Sequence, residues 1–182
     1  VPIAFCPAVA WYGINALVAV NAQPATGAQP LSAWFLDKAP RNQITVGKFE
    51  GAVDAFGVGV GAVFGSTAGS GRFFSVKAGI MLQFPGPILM ISGTGNLLSP
   101  RPSMGDTSSG AFAAIVVIDM SDHGYVSLDV RVDYKVPSSG ALLSITVPVE
   151  FFAGWGGQGF HLYLGRDKPL AKRVRVRVIS IF

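Results

Sequence analysis

The sequence predicts a mainly β protein: an antiparallel meander of about eight strands, strongly coiled, with one or two short N-terminal helices packed on it. Three observations predict it. Glycine is frequent, at 23 of 182 residues, with 12 prolines and few of the straight-chain residues that favour helices. From about residue 44 onward the apolar residues recur with period two. The segments so defined are separated mostly by short Gly-, Ser-, Asp- and Pro-rich turns, which join adjacent antiparallel strands, whereas parallel strands need long crossovers.

The first 36 residues carry no charge. IAFCPAVAWYGINALVAVNA (3–22) lacks a basic leader, is interrupted by Pro7 and Asn15, and is marginal for a membrane span of about 20 apolar residues. It reads as a short buried helix near 8–20, with Cys6 as a buried, inert thiol. Residues 21–43 read as a Pro-punctuated connection with one helical turn at LSAWFLDK (31–38). The chain thus divides into a helical and loop lead-in, 1–43, and a sheet, 44–182, forming one β-rich domain. Because the chain starts at Val1, it is expected to be processed or part of a longer protein.

The clearest strand is YVSLDVRVDYKV (125–136). Val126, Leu128, Val130, Val132, Tyr134 and Val136 share one face; Tyr125, Ser127, Asp129, Arg131, Asp133 and Lys135 share the other. Such alternation predicts one dry face and one hydrated face. RFFSVKAGIMLQF (72–84), LLSITVPVEF (142–151) and FHLYL (160–164) alternate likewise. Pro148 cannot donate to a ladder and predicts an edge or a bulge in its strand. ILMISGTGNLL (88–98) and AFAAIVVIDM (111–120) are apolar on both parities and predict cover on both faces. In FGVGVGAVFG (56–65), Gly57, Gly59 and Gly61 occupy one face. That run predicts close approach by another backbone or element, strong coiling, or a groove for an elongated apolar ligand.

Chemistry is sparse. GWGGQG (154–159) matches the spacing of a dinucleotide fingerprint, but a strand pattern follows it, not the required helix. GSTAGSGR (65–72) is no P-loop, and no serine stands in a nucleophile elbow. His123, His161 and the single cysteine are scattered, so no metal cluster is expected. Asp119, Asp122 and His123 read as a hairpin turn with local backbone bonds. The glutamates, Glu50 and Glu150, have nothing in the sequence to bring them together. The expectation is a protein that is not an enzyme and takes no cofactor.

Only 13% of the residues are charged while 50% are hydrophobic, against a usual charged share of about 25%. So small a polar surface requires something to cover apolar area. The net charge of +4 comes from one stretch, RDKPLAKRVRVR (166–177). There Arg173, Arg175 and Arg177 would share a strand face about 7 Å apart, with Lys172 close by. That face reads as solvated, as an edge kept soluble by charge, or as a rim for an anionic partner. Nucleic acid is not expected, since no aromatic residues interleave with the arginines.

The order PGPILMISGTGNLLSPR, GAFAAIVVIDM, VDYKVPSSGALLSITVPVEFF, GFHLYLGRDKPLAKRVRVRVISIF, over roughly 75–182, resembles a module of very large, uncharacterised β-rich bacterial proteins. The resemblance implies an internal fragment with an extended antiparallel sheet, and no catalytic residue.

Together these readings lead to a non-catalytic structural or interaction module of a larger assembly. Its apolar face, Val126, Leu128, Val130 and Val132 included, would be covered by other segments of the parent protein or by self-association. The alternative is a groove for lipid or another hydrophobic ligand, with Gly57, Gly59 and Gly61 leaving room for chains and Lys172, Arg173, Arg175 and Arg177 as its rim. An outer-membrane barrel ranks third, because phenylalanine looks spread along the strands and the N-terminal apolar segment has no role in one.

Overall fold

A computed structural model describes residues 2–25, 49–99, 101, 111–136, 143–165 and 175–178. Ten strands follow one another: β1 (Ile3–Cys6), β2 (Val9–Pro24), β3 (Phe49–Ser66), β4 (Phe74–Phe84), β5 (Ile88–Leu97), β6 (Phe112–Asp119), β7 (Tyr125–Val136), β8 (Leu143–Gly154), β9 (Gly159–Leu164) and β10 (Arg175–Val178). Each of β1 to β8 pairs antiparallel with the next, in sequence order. The result is a single open meander, as the turn spacing predicts. Helix is confined, among the described residues, to a 3₁₀ turn at Ala68–Gly71.

The N-terminal apolar stretch is a correction. Residues 9–24 form a sixteen-residue strand, not a buried helix. Apolar residues on both parities disguised its period: Ile14, Ala16, Val18 and Val20 face one way and Asn15, Leu17 and Ala19 the other, in register with β3. Its β-branched residues and Gly13 suit a strand better than a helix. Cys6 is likewise exposed, not buried, because β1 is a short edge segment. The helical turn expected at 31–38 lies outside the described residues.

Two irregularities shape the β2–β3 pair. At Tyr12 the register shifts by one residue, and the Tyr12 hydroxyl donates to the Ser66 carbonyl at 2.7 Å. The Arg101 guanidinium lies over the Tyr12 ring, 4.1 Å from its centre. At the other end the pairing is interrupted between Val20 and Ala22. Asn21 and Asp54 there take left-handed backbone conformations, which their side chains tolerate. The Asp54 amide donates to the Asn21 side chain at 3.2 Å.

Pro148 corrects an expectation: β8 is neither an edge strand nor bulged there, because it has neighbours on both sides and its register with β7 runs unbroken through Arg131 and Pro148. β9 and β10 both pair with the same side of β8, β9 opposite Val149–Gly154 and β10 opposite Leu143–Thr146. The two therefore form one edge, running in one direction. The pairing with β9 ends at Val149 and that with β10 at Thr146, so neither of these two described ladders includes Val147 or Pro148. The Gly165 amide still donates to the Pro148 carbonyl, at 2.9 Å.

The core sits on the odd-numbered face of β4. Met81, Met90, Ile115 and Val117 form its centre, with Ile115 and Val117 fully buried. These four lie on adjacent strands, since Met81 opposes Met90 and Met90 opposes Val117. Leu17 from β2 and Tyr125 from β7 pack on the same cluster, which requires strong curvature. We call this the inner face.

Candidate functional site: the two faces of the sheet

Register turns the alternation of single strands into two continuous surfaces. The inner face carries nearly all the polarity. Ser75, Lys77 and Gln83 from β4, Ser92 and Thr94 from β5, Ser127, Asp129 and Arg131 from β7, and Glu150 and His161 from β8 and β9 share it. Ser75 is 1% exposed, Ser127 6% and Gln83 7%. This reverses an expectation: the polar parity of 72–84 and 125–132 is not turned to open solvent but lines the concave side. Alternation separates two faces of a strand; it does not say which one a curved sheet will enclose.

Inside, the polar groups are partly tied to one another. His161 Nε2 lies 3.2 Å from Glu150 Oε1. Tyr125, Phe152, His161 and Tyr163 form a ladder of rings across β7, β8 and β9, with centroids 5.4, 5.2 and 4.7 Å apart. The Gln83 amide donates to the Ala22 carbonyl at 3.3 Å. The Ser75 and Ser127 hydroxyls and the Gln83 side-chain oxygen are buried without a hydrogen-bond partner, which an apolar protein core would penalise heavily.

Gly57, Gly59 and Gly61 also face inward. The close approach their run predicts comes from the neighbouring strand: a Cβ on Gly61 would collide with the Asn15 side chain. At Gly59 it would come within 3.1 Å of the Ile80 carbonyl oxygen. These glycines let Asn15 and Leu17 lean over β3 towards the core.

Between the two ends of the sheet the outer face is apolar. From β2 to β9 it presents Ile14, Ala16 and Val18, then Val58, Val60 and Ala62, then Ala78, Ile80 and Leu82, and so on to Leu162 and Leu164. Val126, Leu128, Val130 and Val132 belong to it, opposite in facing to the three glycines. No described element covers it: Val60 is 48% exposed and Ile80 49%.

Its aromatic residues fall into two groups along the strands. At one end Trp11 opposes Phe64, and Phe112 falls in the same row through Val76 and Gly95, with Phe74 one step beyond. Phe5 stacks there on Trp11, 5.9 Å between ring centres. At the other end Phe56 opposes Phe84, and Phe160 lies one step inside that row. Between the two groups stand Val, Ile, Leu, Ala and Gly. Phe151 alone among the described outer-face aromatics sits within this band, edge-on to Phe160.

The remaining sequence candidates resolve differently. Arg175 and Arg177 lie on β10, opposite Thr146 and Ser144. Lys172 and Arg173 fall outside the described residues. The Asp119 carboxylate accepts from the Ser121 amide at 2.9 Å, a local turn bond. That turn docks on the 155–158 turn, where the Trp155 indole donates to the Ser121 carbonyl at 2.8 Å. Among the described residues no three His, Cys, Asp or Glu side chains are grouped to hold a metal ion.

No family model matches the chain, and no curated protein or solved structure matches it. The resemblance to a module of large bacterial proteins therefore rests on the sequence patterns alone.

Proposed function

We propose that this chain is a non-catalytic, membrane-embedded β-sheet, its outer face in contact with lipid acyl chains and its inner face enclosed. The observation that carries the reading is the layering of the outer face, an aliphatic band bounded by Trp11, Phe64, Phe74 and Phe112 on one side and Phe56, Phe84 and Phe160 on the other. Bilayer-spanning sheets place apolar residues outward between two aromatic girdles and polar residues inward. Strand lengths support it: a tilted strand needs about 9–11 residues to cross, and β4, β5 and β7 have 11, 10 and 12. No described helix is long and apolar enough to cross a membrane, which leaves spanning by strands open.

The reading keeps the premise that something must cover the apolar face, and names lipid as the cover in place of neighbouring segments or copies. It also differs from a ligand groove, because the apolar parity and Gly57, Gly59 and Gly61 lie on opposite faces.

The test uses single cysteines in a Cys6→Ser background, labelled with an environment-sensitive fluorophore after refolding into phosphatidylcholine vesicles. Brominated acyl chains should quench labels at Val58, Ile80 and Ile91 and spare those at Ser92 and Thr94. Equal protection of both sets, in a lipid-free oligomer, would favour cover by copies and overturn the lipid reading.

A further inference from the structure

The meander ends in two edges. Beyond Trp11, β2 pairs among the described residues only with β3, and β9 and β10 pair only with β8. We propose that these two edges pair with each other within one chain, closing the sheet into a barrel of eight spanning strands in the bilayer: β2 to β8, and the composite β9–β10. This rests on the reading that the outer face meets lipid.

Four observations carry it. An open sheet edge is not tolerated in hydrocarbon, where no water is present to satisfy backbone amides and carbonyls. The two edges have compatible sense, because successive strands reverse direction and β2 and β9 stand at opposite ends of an even set. They have compatible parity: Ile14, Val18 and Val20 on β2 and Phe160, Leu162 and Leu164 on β9 all face outward and are all more than half exposed. And the sheet is already curled, since Leu17 of β2 and Tyr125 of β7 rest on one cluster. An eight-stranded barrel encloses just enough space for side chains to fill. Met81, Met90, Ile115 and Val117 are such a filling.

The experiment is disulfide trapping of the full chain, Cys6→Ser, refolded in phosphatidylcholine vesicles. Each of Ile14, Val18 and Val20 is changed to Cys and combined in turn with Cys at Phe160, Leu162 or Leu164. Leu17→Cys with Leu162→Cys, on opposite faces, is the control. Directly opposed strand positions bring Cβ atoms to about 4.5–5.5 Å, close enough for a disulfide with slight adjustment. The expected result is a disulfide within one chain for at least one same-face pair, at monomer mass, and none for the control. Disulfides only between chains, or none in any same-face pair, would overturn closure. A spin label at Ile80 in the same vesicles separates the two claims. Strong relaxation by oxygen without a disulfide within the chain leaves lipid contact standing and sinks closure; a within-chain disulfide with the label in water does the opposite.

Discussion

A lysine walked along the outer face of β4 should destabilise the protein according to depth. Phe74 and Phe84 mark the ends of the apolar band on that strand. At about 3.3 Å per residue and a tilt of about 40°, the separation projects to about 25 Å, the height of an outward apolar band. Ala78 and Ile80 each lie about 10 Å from the nearer rim and about 15 Å from the farther one by the same rise. Near the midplane of a bilayer a lysine costs about 2–4 kcal/mol, falling to about 0–1 kcal/mol towards the rims. Ala78→Lys and Ile80→Lys should therefore lose more stability than Val76→Lys and Leu82→Lys. The assay is reversible guanidinium unfolding in vesicles followed by tryptophan fluorescence. A water-exposed strand face gives the opposite expectation, since surface substitutions usually change stability by under about 0.5 kcal/mol. A flat profile at that level across the four positions would refute the assignment of this face to lipid.

Other expectations concern the interior and the loops. Ile115→Ala should cost about 2–5 kcal/mol by leaving a cavity in the fully buried cluster, measured in the same unfolding assay. Gly61→Ala should destabilise by about 1–3 kcal/mol through overpacking against Asn15, and Asn15→Gly in the same chain should recover most of it. Trp155→Phe removes the bond to the Ser121 carbonyl and should cost about 0.5–1.5 kcal/mol, with faster amide exchange confined to 121–124 and 155–158. The Cys6 thiol should react with a maleimide in the folded protein as fast as in the unfolded one, because it is exposed.

Much of the sheet was legible in the sequence. Strands β4 to β9 fall where period-two patterns and turn residues put them, and the glycine run marks the close approach it was expected to mark, whereas Pro148 lies in a flanked, unbulged strand. β2 was not legible as a strand, since its inner parity carries Leu17 and Ala19 and so lacks contrast with its outer one. The enclosed side was not legible either. Ser127 and Leu128 differ in polarity whichever way the sheet bends, and only the curvature that brings Leu17 and Tyr125 together decides. The girdles were hidden for a third reason. Phe56, Phe64, Phe74, Phe84 and Phe112 look evenly scattered along the chain, and become two groups at opposite strand ends only when antiparallel register folds the numbering back on itself.

The plain meander also sets how such a protein can grow. Because neighbours in sequence are neighbours in space from β1 through β8, a hairpin is a separable stitch. Inserting or deleting one strand would invert the direction of everything downstream, whereas adding or removing two preserves direction and facing alike. Change in this architecture therefore proceeds in steps of two strands, each widening or narrowing the sheet without rewriting the segments already laid down.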